Sequence, residues 1–463
     1  MALEETANSI EDHLIEGLSF KLKPGASYVQ SRRSVSFFSQ GGNSYSSTGV
    51  KVIKISLTGA QGEWLDPSTL SVMFTVNNRS TVANTLLLFL SGPWCCFRRM
   101  RVICGGTIIE DIDNYARCHE LFHTLSSVAK RRNDEILGFN TNTKNTLYDL
   151  EKVDPLSKTV FDYVGIPDTK TVMFTPLSGL CGCDKYLPLR YMGGLTLELE
   201  LVSDPLECVM SDPYTSPARA GDYATDRVEV TDAGMISTAW DISDVQVKCD
   251  VIQLDNNLND EYAKYLLTGK SLAINYNTYV SQFQTVTGQQ NSVNITRSLS
   301  RLKSIFVSHV GPMVLPAAIV HKEFNTFYHP MAQTLDNVGL DIYDPDFELE
   351  WQIQIGSRLS PEYSVRSIAE SWYQLQKCLG ILNSSFHSID INHKEYRHFK
   401  YIIGLDLEKV LGSGFTGINT KAGDLLTIKT KSLIDNNNAT KMHIILHADC
   451  VLDIGDTGVS VFE

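Results

Sequence analysis

The sequence predicts a mainly β protein built as two tandem β-sandwiches of jelly-roll or related type, with short helices in the loops between strands. Three observations carry this. Period-2 alternation dominates the chain, as where Val50, Val52, Ile53, Ile55 and Leu57 are set around Lys51, Lys54 and Ser56. A basic, apolar, basic triplet leads into a strand in each half: Arg99, Met100 and Arg101 within residues 92–106, and Arg301, Leu302 and Lys303 within residues 299–307. Glycine-led strands then close each half in one order, residues 193–201 before 245–251 and residues 423–431 before 443–451. A repeated order of elements marks a duplicated domain more strongly than any single matching strand.

Residues 1–45 read as an amino-terminal arm, acidic at first and then carrying Arg32, Arg33, Phe37 and Phe38. Such a segment builds no core alone. It is expected to be ordered from about Ser31, to bury both phenylalanines on its own domain or a neighbour, and to be dispensable for folding. The first sandwich spans 46–255, with strands from Val50, at 70–76 and at 85–90. A helix follows Asp113, whose side chain is placed to cap it, because Tyr115, Cys118, Leu121, Phe122 and Leu125 recur at helical spacing. Residues 130–170 and 203–241 are polar and irregular, long enough to carry contacts or function.

A short bridging helix near 258–268, with Asn259 or Asp260 at its start, opens the second sandwich, 256–463. Strands follow at 271–283, from Arg301, and at 347–355, where alternation is almost unbroken. A helix at 368–379 places Trp372, Leu375 and Leu379 on one face and matches the helix after Asp113 in rank order.

With 463 residues, 43% hydrophobic and 20% charged, the chain can bury two ordinary cores. A formal charge of −13 disfavours generic or sequence-specific hold on a phosphate backbone. The longest apolar run, 85–90, is far short of the roughly twenty residues of a membrane-spanning helix. Residues 1–15 are acidic and lack a secretory signal, so synthesis in the cytosol is expected. Ten cysteines, several in apolar strands (Cys95, Cys96, Cys104, Cys249, Cys450), then read as buried thiols in a reducing compartment. The sequons at Asn78, Asn294, Asn383 and Asn438 carry little weight in such a chain.

Candidate chemistry is sparse. Gly412, Gly414 and Gly417 spell a dinucleotide fingerprint, but the residues after them form a turn and a strand rather than the helix that would receive a pyrophosphate. Cys181 and Cys183 are a close pair without a second pair to complete a metal site. His119, Glu120 and His123 match the spacing of a zinc helix, yet Leu121 and Phe122 between them read as core and no third ligand is evident. His393 and His398 lie in a polar stretch, and Asp344 and Asp346 are two of many carboxylates. The expectation is no catalytic, cofactor or metal residue, no cofactor, and no enzyme.

Several segments together resemble the double jelly-roll major capsid proteins of virophages and polinton-like double-stranded DNA viruses: residues 32–38, 62–70, 92–106, 109–112, 361–379 and 410–427. The resemblance implies two eight-stranded antiparallel jelly rolls per subunit and three subunits forming a pseudo-hexameric capsomer. It further implies an icosahedral shell around a double-stranded DNA genome, with neighbouring capsomers, a penton and minor capsid proteins as partners. The chain ends soon after its last strand, so no cleavable tail is expected, and modest towers would rise from 130–170, 203–241 and 311–346. The competing reading is a β-sandwich carbohydrate-binding protein or a metal-dependent hydrolase working through His119.

Overall fold

Two sets of strands wind in the same order. In a computed structural model of the chain, the described residues are 29–463 apart from 83–86, 140–168, 210–236, 311–326, 332–348, 409–416, 422–424, 433–439, 456–457 and some single positions. The first half contains β1 (Val29–Gln40), β2 (Ser44–Tyr45), β3 (Val52–Leu57), β4 (Glu63–Asn78), β5 (Phe97–Cys104) and β6 (Thr107–Asp113). Helices α1 (Tyr115–Thr124) and α2 (Val128–Leu137) follow, then β7 (Thr169–Phe174), β8 (Leu195–Leu201) and β9 (Trp240–Leu254).

The hydrogen-bonded order is β6-β5-β8-β3-β1-β9-β4-β7, with β2 also on β9. β1 turns the corner of this sheet. Its start runs along β9, from Val29 opposite Leu254 to Phe38 opposite Gln246, and its end meets β3 at Ser39 opposite Ile55. Two layers result, β1-β9-β4-β7 and β3-β8-β5-β6, closed over one core. Phe74 of β4 meets Phe97 of β5 edge-on at 5.5 Å, and Phe97 lies 5.7 Å from Phe174 of β7.

The second half opens with α3 (Asn256–Leu267), then β10 (Leu272–Thr285), β11 (Gln290–Ile295), β12 (Leu302–Val310), β13 (Leu349–Ile355) and β14 (Arg358–Val365). Next come α4 (Ile368–Cys378), α5 (His393–His398), β15 (Ile402–Asp406), β16 (Leu426–Ser432), β17 (Lys441–Gly455) and β18 (Gly458–Phe462). Its sheets are β10-β17-β12-β15, with β18 hairpinned onto β17, and β11-β16-β13-β14. Strand for strand this repeats the first half: β10 stands for β1, β17 for β9, β12 for β4, β15 for β7. The fold is two antiparallel jelly rolls with helices in the connections.

The repeat differs from its sequence reading in one respect. The strands at 193–201 and 423–431 are β8 and β16, which correspond, as do β9 and β17; α1 and α4 both connect the outermost strands of their roll's two sheets. The basic triplets do not correspond. Arg99 and Arg101 lie on β5, the counterpart of β13, whereas Arg301 and Lys303 open β12, the counterpart of β4. Both places demand the same chemistry, a cation facing cross-strand carboxylates. Arg101 pairs with Glu198 on β8 and Arg99 with Asp111 on β6, while Lys303 lies 3.1 Å from Glu408 and 3.5 Å from Asp449.

Four further corrections concern boundaries. From Val29 the expected arm is an integral strand; residues 1–28 lie outside the described residues. Arg32 pairs with Asp250 (2.7 Å) and Asp66 (2.9 Å), and Arg33 with Glu63, all in the same roll. Strand alternation sends Phe37 toward the core but leaves Phe38 67% exposed. Asp113 ends β6 and does not cap α1; Asn114 does so in the left-handed region (φ 51°) with no side-chain bond. The α3 cap is Asp255, accepting from Asn257 N–H at 3.3 Å, rather than Asn259 or Asp260. Residues 130–137 are helical, in α2, capped by Ser127; residues 140–168 and 210–236 lie outside the described residues. Of 85–90, Leu87 and Phe89 are described, and Phe89 bridges Val209.

The rolls meet along a seam in which the β10-β17-β12 face lies against α1 and β6. Tyr276 OH donates to Ile109 O at 3.1 Å, and Phe122 packs against Tyr279 (4.8 Å) and Phe306 (5.1 Å). Arg117, 2% exposed, donates to Ser308 Oγ (3.1 Å) and His309 O (3.2 Å) with its guanidinium 4.9 Å from the Phe327 ring. At Gly179 the approach is closest: a Cβ there would sit 1.4 Å from Asn277 O. Backbone cannot yield that distance cheaply, so Gly179→Ala is expected to cost about 3 kcal/mol or more in urea unfolding. Gly42→Ala, with no atom within 4 Å of its Cβ, should be near neutral. Equal effects at the two sites would remove the seam as a structural constraint. Arg117→Met is expected to cost about 3 kcal/mol, with no rescue by Arg117→Lys, since a compact ammonium cannot span both acceptors and the ring face.

Candidate functional site

Helix α1 carries His119, Glu120 and His123, and its packing decides what they do. Their spacing puts both imidazoles on one helix face, which is pressed against the turn Pro93–Cys96. The His119 ring stacks on Trp94 with centroids 4.1 Å apart and planes at 18°, and its Nε2 lies 3.1 Å from Thr175 O. His123 lies 4.6 Å from the same indole. Glu120 accepts from Trp94 Nε1–H at 2.8 Å and from the Ser91 hydroxyl. Burial depresses both histidines to about 3 and raises the Glu120 carboxyl. A zinc helix turns both imidazoles on one ion and leaves its glutamate to a water. Here both imidazoles lie against one indole, His119 Nε2 faces a carbonyl, and the carboxylate locks the Trp94 turn. Among the described residues, His119 and His123 join no cluster of three ligand atoms.

The other sequence candidates are scattered. Cys181 and Cys183 are both buried beside the seam; burial pushes the Cys181 thiol up to about 12, and Cys183 Sγ donates to Lys185 O at 3.3 Å. His393 is exposed at the start of α5 and joins no cluster of three ligand atoms among the described residues. Residues 412–416 of the glycine motif, and Asp344 and Asp346, lie outside the described residues. Gly417 is packed so closely on the Arg301–Leu302 backbone that a Cβ would be 2.6 Å from it.

What sequence reading missed is a layer of buried histidine along the seam. His443 and His447 share the β17 face that points out of the second roll. His443 Nε2 lies 2.7 Å from Ser281 Oγ with its ring stacked on Phe283 (4.5 Å), and His447 Nδ1 lies 3.0 Å from Ser304 Oγ with its ring stacked on Tyr279 (5.0 Å). His309 on β12 is opposite Met442 and so faces the interior of the second roll instead, 2% exposed. Burial, reinforced by the charge of Arg117 or Lys303, holds His309 at about 3, His447 at about 4 and His443 well below its ordinary value. Period-2 alternation marks these positions as polar. Only the neighbouring roll makes the His443 and His447 positions interior.

These groups fix a sign for acid stability. Unfolded, each histidine takes up a proton near 6.5; folded, it stays neutral to about 3 or 4, so the unfolded chain binds more protons and stability falls as pH drops from 6.5 toward 4. Each contributes a slope of about 1.4 kcal/mol per pH unit in that window. Glu110 opposes them. Burial raises its carboxyl to about 7, so its contribution is complete below 4.5 and is lost as pH rises through 7. Urea unfolding between pH 5 and 6.5 is expected to show stability increasing with pH, and His119→Phe to lower that slope by about one proton. An unchanged slope in this variant would mean that His119 titrates normally in the folded chain.

No protein-family model and no curated protein matches the sequence. Solved structures match the fold over nearly its whole length. The capsid of PBCV-1 virus is 13% identical with a TM-score of 0.58, covering 96% of this chain and 99% of that one. The Faustovirus major capsid protein is 10% identical with a TM-score of 0.58, covering 94% and 92%. A chain of the Sputnik virophage structure is 8% identical with a TM-score of 0.57, covering 96% and 90%. The architecture is therefore the double jelly roll seen in these capsid proteins. At these identities the likeness is one of fold, and it accounts for both rolls and their joining helix together.

Proposed function

We propose that this chain is a major capsid protein of a double-stranded DNA virus, with no enzymatic role. It assembles as a homotrimer of pseudo-hexagonal outline, and the trimers tile an icosahedral shell with penton and minor proteins. The carrying observation is the end-to-end correspondence of both rolls with capsid subunits that are themselves almost fully covered. The chain divides, in this reading, into rolls on either side of α3, with residues 1–28 as the arm. All ten cysteines are thiols, which accords with synthesis in a reducing host cytosol. Among the described residues no helix is long and apolar enough to cross a membrane. The hydrolase alternative loses its best support at His119, whose Nε2 is occupied by a backbone carbonyl.

The internal seam supplies the geometry of assembly. It joins α1 of one roll to the outer β10-β17-β12 face of the other. Its counterparts stay open: α4 on the second roll, where Tyr373 is 45% exposed, and the outer β1-β9-β4 face of the first, where Phe38 is 67% exposed. Joining these between copies repeats the seam three times and closes a ring of six rolls. Sedimentation and negative-stain microscopy should show hexagon-like trimers burying well over the ~2,000 Å² of an ordinary interface. Phe38→Glu and Tyr373→Glu should each give folded monomers of unchanged melting temperature. A wild-type chain that stays monomeric at high concentration would sink the capsid reading. Trimers indifferent to both substitutions would sink this arrangement alone. Removing residues 1–28 should leave folded trimers that form shells poorly, whereas removing 1–40 deletes β1 and should prevent folding.

A further inference from the structure

Three cysteines converge in the first roll without any part in its sheets' pairing. Cys95 and Cys96 sit in the turn before β5, and Cys208 in the segment that follows β8. All three are fully buried, and their Sγ atoms lie within 4.8 Å of one another. The backbone on both sides is fixed independently of the sulfurs. Cys95 N–H donates to Gly92 O at 3.0 Å and Val202 N–H to Cys96 O at 3.0 Å. On the other side Trp240 Nε1–H holds Pro205 O at 3.0 Å, and Val209 bridges Phe89. The sulfurs are thus brought together by a scaffold that does not need them there.

We propose that Cys95, Cys96 and Cys208 bind one thiophilic d10 cation, Zn(II) or Cu(I), as a structural site. Three sulfurs around an ion at bonds of about 2.3 Å stand about 4 Å apart, a small contraction from the present arrangement. Soft sulfur donors in a dry setting select these ions over Mg(II), Ca(II) or Mn(II). Each sulfur binds as thiolate, so its proton leaves to solvent as the ion enters. Burial holds the Cys95 and Cys96 thiols well above their ordinary range, so they stay protonated without a cation, and loading is expected to weaken on acidification. The ion would pin the Pro93–Cys96 turn, and with it Trp94 and α1, to the segment 202–209 that follows β8. This site does not depend on the capsid reading.

Chain expressed separately with added zinc and with added copper, and purified under anaerobic reducing conditions, is analysed by native mass spectrometry and X-ray absorption. One ion per chain in either arm, with three sulfur neighbours, is expected. It should be retained in Cys181→Ser and His119→Phe and lost in Cys208→Ser. Metal-free chain in both arms, fewer than three sulfur neighbours on the wild-type ion, or retention in Cys208→Ser would each overturn the site. So would a chain lighter by two hydrogens with a disulfide among these three. The wild-type absorption spectrum decides the matter even if the serine variant fails to fold.

Discussion

Each roll depends on its last long strand entering between two strands made much earlier. β9 pairs with β1 and β4 over most of its length, and β17 does the same with β10 and β12. Until that strand arrives, the edges of its neighbours present unpaired amides and carbonyls, and neither layer has a complete inner face. Bringing Val29 beside Leu254 closes a loop of most of the first roll. The entropic cost grows only logarithmically with loop length, but it precedes the contacts that offset it. Everything described above, from the Trp94 turn to the seam, hangs on a sheet that exists only after this insertion.

Identical topology does not give identical surroundings. On the first roll the outer face of β1, β9 and β4 carries ion pairs, Arg32 with Asp250 and Asp66, which suits water. The matching face of the second roll carries His443 and His447, stacked on Phe283 and Tyr279 and hydrogen-bonded to Ser281 and Ser304, with α1 packed over that face. Polar groups buried this way tolerate little error: each needs a partner and a neutral state. The seam is consequently more specific than an apolar contact of the same area would be.

Much of the fold was legible in the sequence, and the failures have physical causes. β13 buries one face cleanly and β8 nearly so, so alternation shows them, and β17 alternates although the seam buries its second face as well; α4 shows its apolar face. β1 reads as an arm because most of it is exposed and its alternation is written in Ser, Arg and Gln with a few apolar residues. Its role comes from backbone pairing, which side-chain pattern does not encode. The triplet around Met100 misled because ion-paired outer faces recur on many strands. At the candidate site, a spacing typical of zinc helices proved to be core, since spacing reports helix geometry but not what the face meets. Cys208 gave no signal at all: it lies over a hundred residues from Cys95, and only the placement of two connections brings them together.

The seam also explains why duplication here is more than repetition. A second roll folded alone would expose His443, His447, Ser281 and Ser308 beside Tyr279 and Phe306, a strand face whose polar groups water would satisfy. Covered by α1 and β6, the same face is desolvated, and its hydrogen bonds become internal. Covering it without Arg117 would leave Ser308 Oγ and His309 O short of a donor, and covering it with a residue larger than glycine at 179 would collide with Asn277. The partner roll must therefore supply a long cation at one point and no side chain at another. Such paired requirements are met dependably when both rolls belong to one chain, because the linking helix holds the second roll at high effective concentration beside the first. A free association of separate rolls would instead have to meet them by diffusion while shielding no apolar surface in advance.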